Sequence, residues 1–159
     1  MFDDLIEIIF KNLHFKTLGP LLKNLTSGGE NIASYYATCE GTEIDWKKES
    51  SIEGFLKDMH ESALFINLKS LDREGIFIRK CGLAIYKNQD TIRLEVNFQV
   101  GDIYNPMNVD VVEALMILAQ TIAKTYEIED FFCGFEPAQD LETRLFTKNK
   151  KGPFLLKKR

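Results

Sequence analysis

Little in this chain is equipped for chemistry, and each shortage removes a class of function. The three cysteines, Cys39, Cys81 and Cys133, are odd in number and widely spaced, with no C-x2-C pair. Structural zinc takes four ligands with such close pairs, so the expectation is buried, reduced thiols in a cytosolic protein. The two histidines, His14 and His60, each fall at the end of a predicted helix, where the dipole favours a protonated imidazole. No serine or cysteine sits in a nucleophile elbow, which leaves a Ser-His-Asp or Cys-His constellation without support. The Gly28-Gly29 pair lacks the G-x-x-x-x-G-K spacing of a phosphate loop and reads as a turn. No apolar run approaches the ~20 residues of a membrane span, and residues 1–5 have neither the basic region nor the cleavage site of a signal peptide. A cytoplasmic protein with no cofactor, no metal and no membrane contact is expected.

Positive charge is also in short supply. The net charge is −4 with a pI near 5.3, which argues against sequence-independent nucleic-acid binding, because that rests on Lys and Arg neutralising phosphates. An acidic surface suits a basic partner instead.

What is present is an ordinary globular composition, 45% hydrophobic and 28% charged over 159 residues. That is enough chain to bury a core without staples. With no internal repeat and no low-complexity linker, residues 1–159 read as one domain. The clearest element is 91–100, where every even position (Ile92, Leu94, Val96, Phe98, Val100) is apolar and every odd one polar. This is the period of a strand with one buried and one wet face. Residues 109–126 then form the most apolar helix, with Val112, Leu115, Met116, Ala119, Ile122 and Ala123 inward, preceded by capping chemistry at Asn105-Pro106 and Asn108.

Residues 63–68 and 76–86 give two more strands, the second joined to 91–100 by the polar turn 87–90. Three strands in meander order predict an antiparallel sheet. Residues 130–135 return as another strand, and 32–39 are read as a strand although Ile32, Tyr35, Tyr36 and Cys39 do not alternate cleanly. Phe2, Leu5, Ile6, Ile9, Phe10 and Leu13 fall at helical spacing, which predicts an amphipathic helix over 2–13 with its stripe on the core. A homodimer built on that stripe is the alternative to a monomer. Leu18, Leu21, Leu22 and Leu25 predict a helix around Gly19-Pro20, with Pro20 in a first turn. Residues 51–59 predict a capped one with Ile52, Phe55, Leu56 and Met59 inward. Residues 136–146 predict a short helix opened by Pro137, with Asp140 and Arg144 paired one turn apart. The expected fold is α+β, an antiparallel sheet of about four strands covered by helices, chiefly the one at 106–125.

Two functional hypotheses follow from the acids. Glu136, Asp140 and Glu142, with Arg144 as a phosphate clamp, would suit a metal-dependent hydrolase; acids around the first turn of a short helix are also what its dipole favours. The second hypothesis is binding. Aromatics at Tyr35, Tyr36, Trp46, Phe131, Phe132 and Phe135 lie beside acids in 40–53 and 129–142, and Tyr and Trp are favoured anchors of interfaces. The candidate partner-binding residues are Glu43, Asp45, Trp46, Glu49, Glu53, Glu129, Asp130, Glu136 and Asp140. Trp46 is expected to be exposed, since Asp45, Lys47, Lys48 and Glu49 leave no apolar stripe around it. Residues 127–142 carry acids and no base, whereas 143–159 carry bases and no acid, so the two runs can fold against each other or leave the tail to an anion or a nucleic acid.

The layout resembles the small cytoplasmic immunity proteins of bacterial polymorphic-toxin and contact-dependent inhibition systems. The features that carry the resemblance are the acidic α+β domain without catalytic motifs and the closing segment Phe135-Glu136-Pro137-Ala138 through Thr143-Arg144-Leu145-Phe146-Thr147. It implies a non-enzymatic protein that binds and neutralises a cognate toxin domain, often a nuclease, with its own acids standing in for phosphates and no direct nucleic-acid contact.

Overall fold

Residues 5–13 form a strand, β1 (Leu5–Leu13), where their spacing predicts a helix. The structure, a computed structural model, describes residues 5–39, 43–105 and 110–154; residues 2–4 of that predicted helix lie outside it, as do Glu40, Pro106, Asn108 and the last five residues. β1 is hydrogen-bonded on both sides, to β7 (Thr91–Gln99) and to β9 (Asp130–Phe135). Ile6, Ile8 and Phe10 point into the main core, while Ile9 on the opposite face packs in a separate small cluster. A strand that is apolar on both faces has no alternation to reveal it, and Leu5-Ile6 followed by Ile8-Ile9-Phe10 satisfies a helical period by coincidence.

β1 and its neighbours widen the expected sheet of about four strands to seven, in the order β10-β9-β1-β7-β6-β3-β2. The remaining strands are β2 (Ile32–Ala37), β3 (Ala63–Leu68), β6 (Cys81–Asn88) and β10 (Arg144–Thr147). Every pairing is antiparallel. The meander β3-β6-β7 is the part predicted; β1, β9 and β10 extend it on one side and β2 on the other. The run 76–86 is broken at Arg79-Lys80, where the Arg79 amide donates to Asp102 O at 2.9 Å. Its first part, β5 (Ile76–Ile78), leaves for a small second sheet with β4 (Leu71–Arg73) and β8 (Ile103–Tyr104).

The helices are α1 (Phe15–Leu25), α2 (Glu49–Asp58) and α3 (Val111–Thr125). Leu18, Leu21, Leu22 and Leu25 of α1, Ile52 and Leu56 of α2, and Leu115, Leu118 and Ile122 of α3 share one core with Leu64, Ile66, Leu83, Ile85, Leu94 and Val96 of the sheet. Leu71, Ile76 and Ile78 of the second sheet join it. All of these elements therefore stand on the same face of the large sheet. His14 opens α1 instead of closing a helix, its Nδ1 accepting the Lys16 amide at 3.2 Å, and Pro20 sits inside α1 beyond the first turn. Ser51 does not cap α2; its hydroxyl accepts the Asp45 amide at 2.9 Å. Asp110 caps α3 by accepting the Glu113 amide.

The predicted helix at 136–146 is replaced by one turn of 3-10 helix over Leu141–Thr143 and by β10. The expected Asp140–Arg144 pair gives way to Arg144 donating to the carbonyls of Ala138 and Gln139. The basic segment does fold back on the acidic one, but through backbone acceptors: Lys148 Nζ donates to Glu129 O at 2.7 Å. Lys151 pairs instead with Glu113 of α3.

Candidate functional site

With the helices gathered on one side, the opposite face of the large sheet carries no α-helix among the described residues. The register places its side chains in transverse rows. One row runs Tyr36, Phe65, Ala84, Glu95, Ile9, Phe132, from β2 to β9. A second runs Ser34, Asn67, Gly82, Asn97, Glu7, Gly134, Arg144, reaching β10.

Three zones result. At the β9 end the chain roofs its own sheet: Ala138 comes down on Ile9 and Phe132, and the three are buried together. Its amide donates to Glu7 Oε2 at 3.2 Å, and the Phe132 ring lies under Lys11 at 4.9 Å and Arg144 at 4.7 Å. In the middle stand Glu7 and Glu95, 9% and 8% exposed. Arg93 Nη2 is 3.1 Å from Glu95 Oε1, and its guanidinium lies 5.0 Å from the Tyr86 ring centroid. At the β2 end is an aromatic ladder, Tyr36 stacked on Phe65 at 4.9 Å and Phe65 edge-on to Tyr86 at 5.8 Å.

The electrostatics of the middle zone are dominated by acid. Burial raises the Glu95 carboxyl above its ordinary range, Glu7 and Glu136 push it further up, and Arg93 opposes them. The folded state thus holds the Glu95 proton more tightly than the unfolded chain does. Stability contributed by this group is greatest below the ordinary glutamate value and falls as pH rises through the raised native value. Glu95→Gln, which keeps an oxygen for Arg93, is therefore expected to melt above the parent at pH 7, with the gap closing towards pH 4. A variant that melts lower at pH 7 would mean that the Arg93 ion pair outweighs the burial.

The deciding comparison is with known protein families. A family model described as PABL017 Cdi1I immunity protein matches residues 4–151. The chain belongs to the Cdi1I immunity protein family. It is also similar, over 96% of its length and 99% of the other chain, to a chain in the 1.75 Å crystal structure of the toxic C-terminal tip of CdiA from Pseudomonas aeruginosa in complex with immune protein. The TM-score is 0.77 at 24% identity, a likeness of fold. Nothing among curated proteins matches.

In this family member the predicted site residues do not make one surface. Glu43, Asp45 and Glu49 are exposed beside β2 on the helix side of the sheet. Glu53 packs against Gly19 of α1, with its Cγ 2.5 Å from where a Cβ on that glycine would stand. Trp46 is the clear correction: it is 7% exposed, its ring edge-on to Tyr35 at 5.2 Å and its Cβ against Gly29. The charged neighbours point outward while the indole closes the core under the Gly28-Gly29 turn, a contact no local pattern discloses. Glu129 and Asp130 lie at the start of β9, one strand in from the β10 edge, where Asp130 meets Lys11 at 3.9 Å. Glu136 and Asp140 border the segment that roofs Phe132. From β9 to β2 is five strand spacings, about 24 Å, so the two acidic runs are separate patches.

Among the described residues no group of three or more His, Cys, Asp or Glu is placed to hold a metal, so Glu136, Asp140 and Glu142 do not assemble the predicted hydrolase centre. Burial raises the Cys81 thiol to about 12 and Cys133 well above its ordinary value, so both are inert core thiols. No described helix is long and apolar enough to cross a membrane. Glu7 and Glu95 are absent from the sequence-predicted site; Glu7 carried one available signal, a carboxylate inside the apolar run from Leu5 to Phe10, whereas Glu95 is one polar residue among the alternating ones of β7 and carried none.

Proposed function

We propose that this chain is a non-enzymatic antidote, a single cytoplasmic α+β domain that binds a cognate CdiA-type toxin domain and neutralises it by occupying its working surface. The observation that carries the reading is the immunity-family match across residues 4–151. The fold shared with a chain of a toxin–immune protein complex supports it. The chain's net charge of −4 suits a toxin whose functional cleft is basic.

The test is co-expression with the CdiA-type toxin domain of its own host, followed by growth measurement and titration of the purified pair. Rescue of growth together with a stoichiometric complex is expected. A toxin that kills as efficiently in the presence of the protein, with no complex on a sizing column, would end the reading. The exposed acids beside β2 act at longer range: the triple reversal Glu43→Lys, Asp45→Lys and Glu49→Lys is expected to slow association on the order of threefold to tenfold at low salt, with the difference fading as salt screens it. An association rate unmoved at low salt would show that this patch does not steer the toxin.

A further inference from the structure

The aromatic zone of the open sheet face is the largest feature the fold leaves unexplained. Tyr36 is 59% exposed on the edge strand β2, and the rings beside it form a continuous ladder across β3 and β6. The roof formed by Ala138 covers Ile9 and Phe132 and reaches Glu7 through the Ala138 amide. The zone has acid along one side, Glu95 and Glu7, with Glu136 close enough to act on Glu95.

We propose that the open face carrying Tyr36, Phe65 and Tyr86 is where the toxin docks, and that the docked element is a basic segment whose Lys or Arg side chains lie over the rings and direct their charge to the nearly buried carboxylates of Glu95 and Glu7 at its border. The proposal rests on the immunity reading and names the surface it uses.

Three observations fix the chemistry of the occupant. The molecule already shows the mode of contact, since the Arg93 guanidinium sits over Tyr86 while paired to Glu95; among the described residues no cation covers the Tyr36 or Phe65 ring. A ring face beside desolvated carboxylates attracts a cation through both its quadrupole and the acids. The carboxylates lie close enough to act on the ladder: the Tyr86 phenol is raised by burial first and then by Glu95 and Glu7, against Arg93. Finally, a second copy of the chain is a poor occupant, because a two-fold contact would set the Glu7, Glu95 and Glu136 carboxylates against their own copies. The face from β2 to β1 spans four strand spacings, about 19 Å, wide enough for one helix or hairpin of a partner.

The experiment compares Tyr36→Ala, Tyr36→Lys and Tyr36→Glu with the parent, titrating each against the same purified CdiA-type toxin domain and recording its melting temperature. Tyr36 is exposed on an edge strand, so all three should fold. Expected are an affinity about tenfold or more weaker for Tyr36→Ala, a larger loss for Tyr36→Lys, and a smaller one for Tyr36→Glu. Parent-like affinity in all three overturns the docking face and leaves the immunity reading standing. A larger loss for Tyr36→Glu than for Tyr36→Lys overturns the basic occupant. Conversion of a dimeric parent to a monomer by Tyr36→Lys, with toxin affinity intact, assigns the face to a second copy and overturns the proposal. If the parent itself fails to bind the toxin domain, the immunity reading and this proposal fall together.

Discussion

Ile8→Ala is expected to destabilise the protein by about 2–5 kcal/mol, a large part of the 5–15 kcal/mol that holds a typical domain together. Ile8 is 1% exposed and lies in the middle of β1, opposite Val96 on one side and Cys133 on the other, both buried. Truncation removes the apolar area of its branched side chain from the core and leaves a cavity between two strands that are each pinned by a hydrogen-bonded ladder, so the site cannot collapse to fill it. The same substitution separates the observed strand from the helix that the spacing predicts. On a helix with Phe2, Leu5, Ile6, Ile9, Phe10 and Leu13 inward, Ile8 would face water and its truncation would cost little. Urea denaturation of the two proteins decides it: a midpoint that hardly moves would remove β1 from the centre of the sheet.

The contrast between Ile8 and Phe98 shows what was legible in the sequence. Ile92, Leu94, Val96 and Phe98 alternate with polar residues, so the strand and its buried face could be read directly, and the helix over it could be read from Leu115, Ala119 and Ile122. Even there the polar face is less wet than its composition suggests, because β1 and β6 flank it and Glu95 is drawn down between Glu7 and Arg93. β1 was illegible because its two faces meet two different apolar environments, the helix-side core and the Ala138 roof. Leu13 joins Ile6, Ile8 and Phe10 in the core, out of step with their alternation, because the register shifts between Phe10 and Leu13, where Asn12 takes a positive φ of 57°.

The docking face was hidden for a related reason. Tyr36, Phe65, Tyr86, Glu95 and Glu7 come from five strands, and only the strand order makes them neighbours. The acids that stand out in the sequence, from Glu43 to Glu49 and from Glu129 to Asp140, are conspicuous because they lie close together along the chain. That is a property of exposed turns and segment ends, which fold topology scatters to opposite edges of the sheet.

Gly134→Ala is expected to cost about 1–3 kcal/mol and to loosen the roof at the same time. Gly134 lies in β9 between Glu7 and Arg144, on the face that the returning chain crosses. A Cβ there would stand 2.9 Å from the Thr143 carbonyl oxygen and 3.1 Å from the Arg144 Cα. Both are backbone atoms, so no rotamer change relieves the clash; the segment from Pro137 to Thr143 has to lift. Lifting it takes Ala138 off Ile9 and Phe132, separates its amide from Glu7, and draws Arg144 away from the Phe132 ring. A Glu7 carboxylate deprived of that donor in a nearly buried position adds its own penalty to the steric one. The variant should melt below the parent and be cut faster by protease between residues 136 and 143, whereas Tyr36→Ala should show neither change. Because Glu136 borders the proposed docking face from this same segment, toxin affinity should fall in Gly134→Ala with the loss of the roof. In Tyr36→Ala it should fall while the roof stays intact. A Gly134→Ala protein with parental melting temperature and protease resistance would show that the segment does not hold the close approach to β9 on which the shape of this face depends.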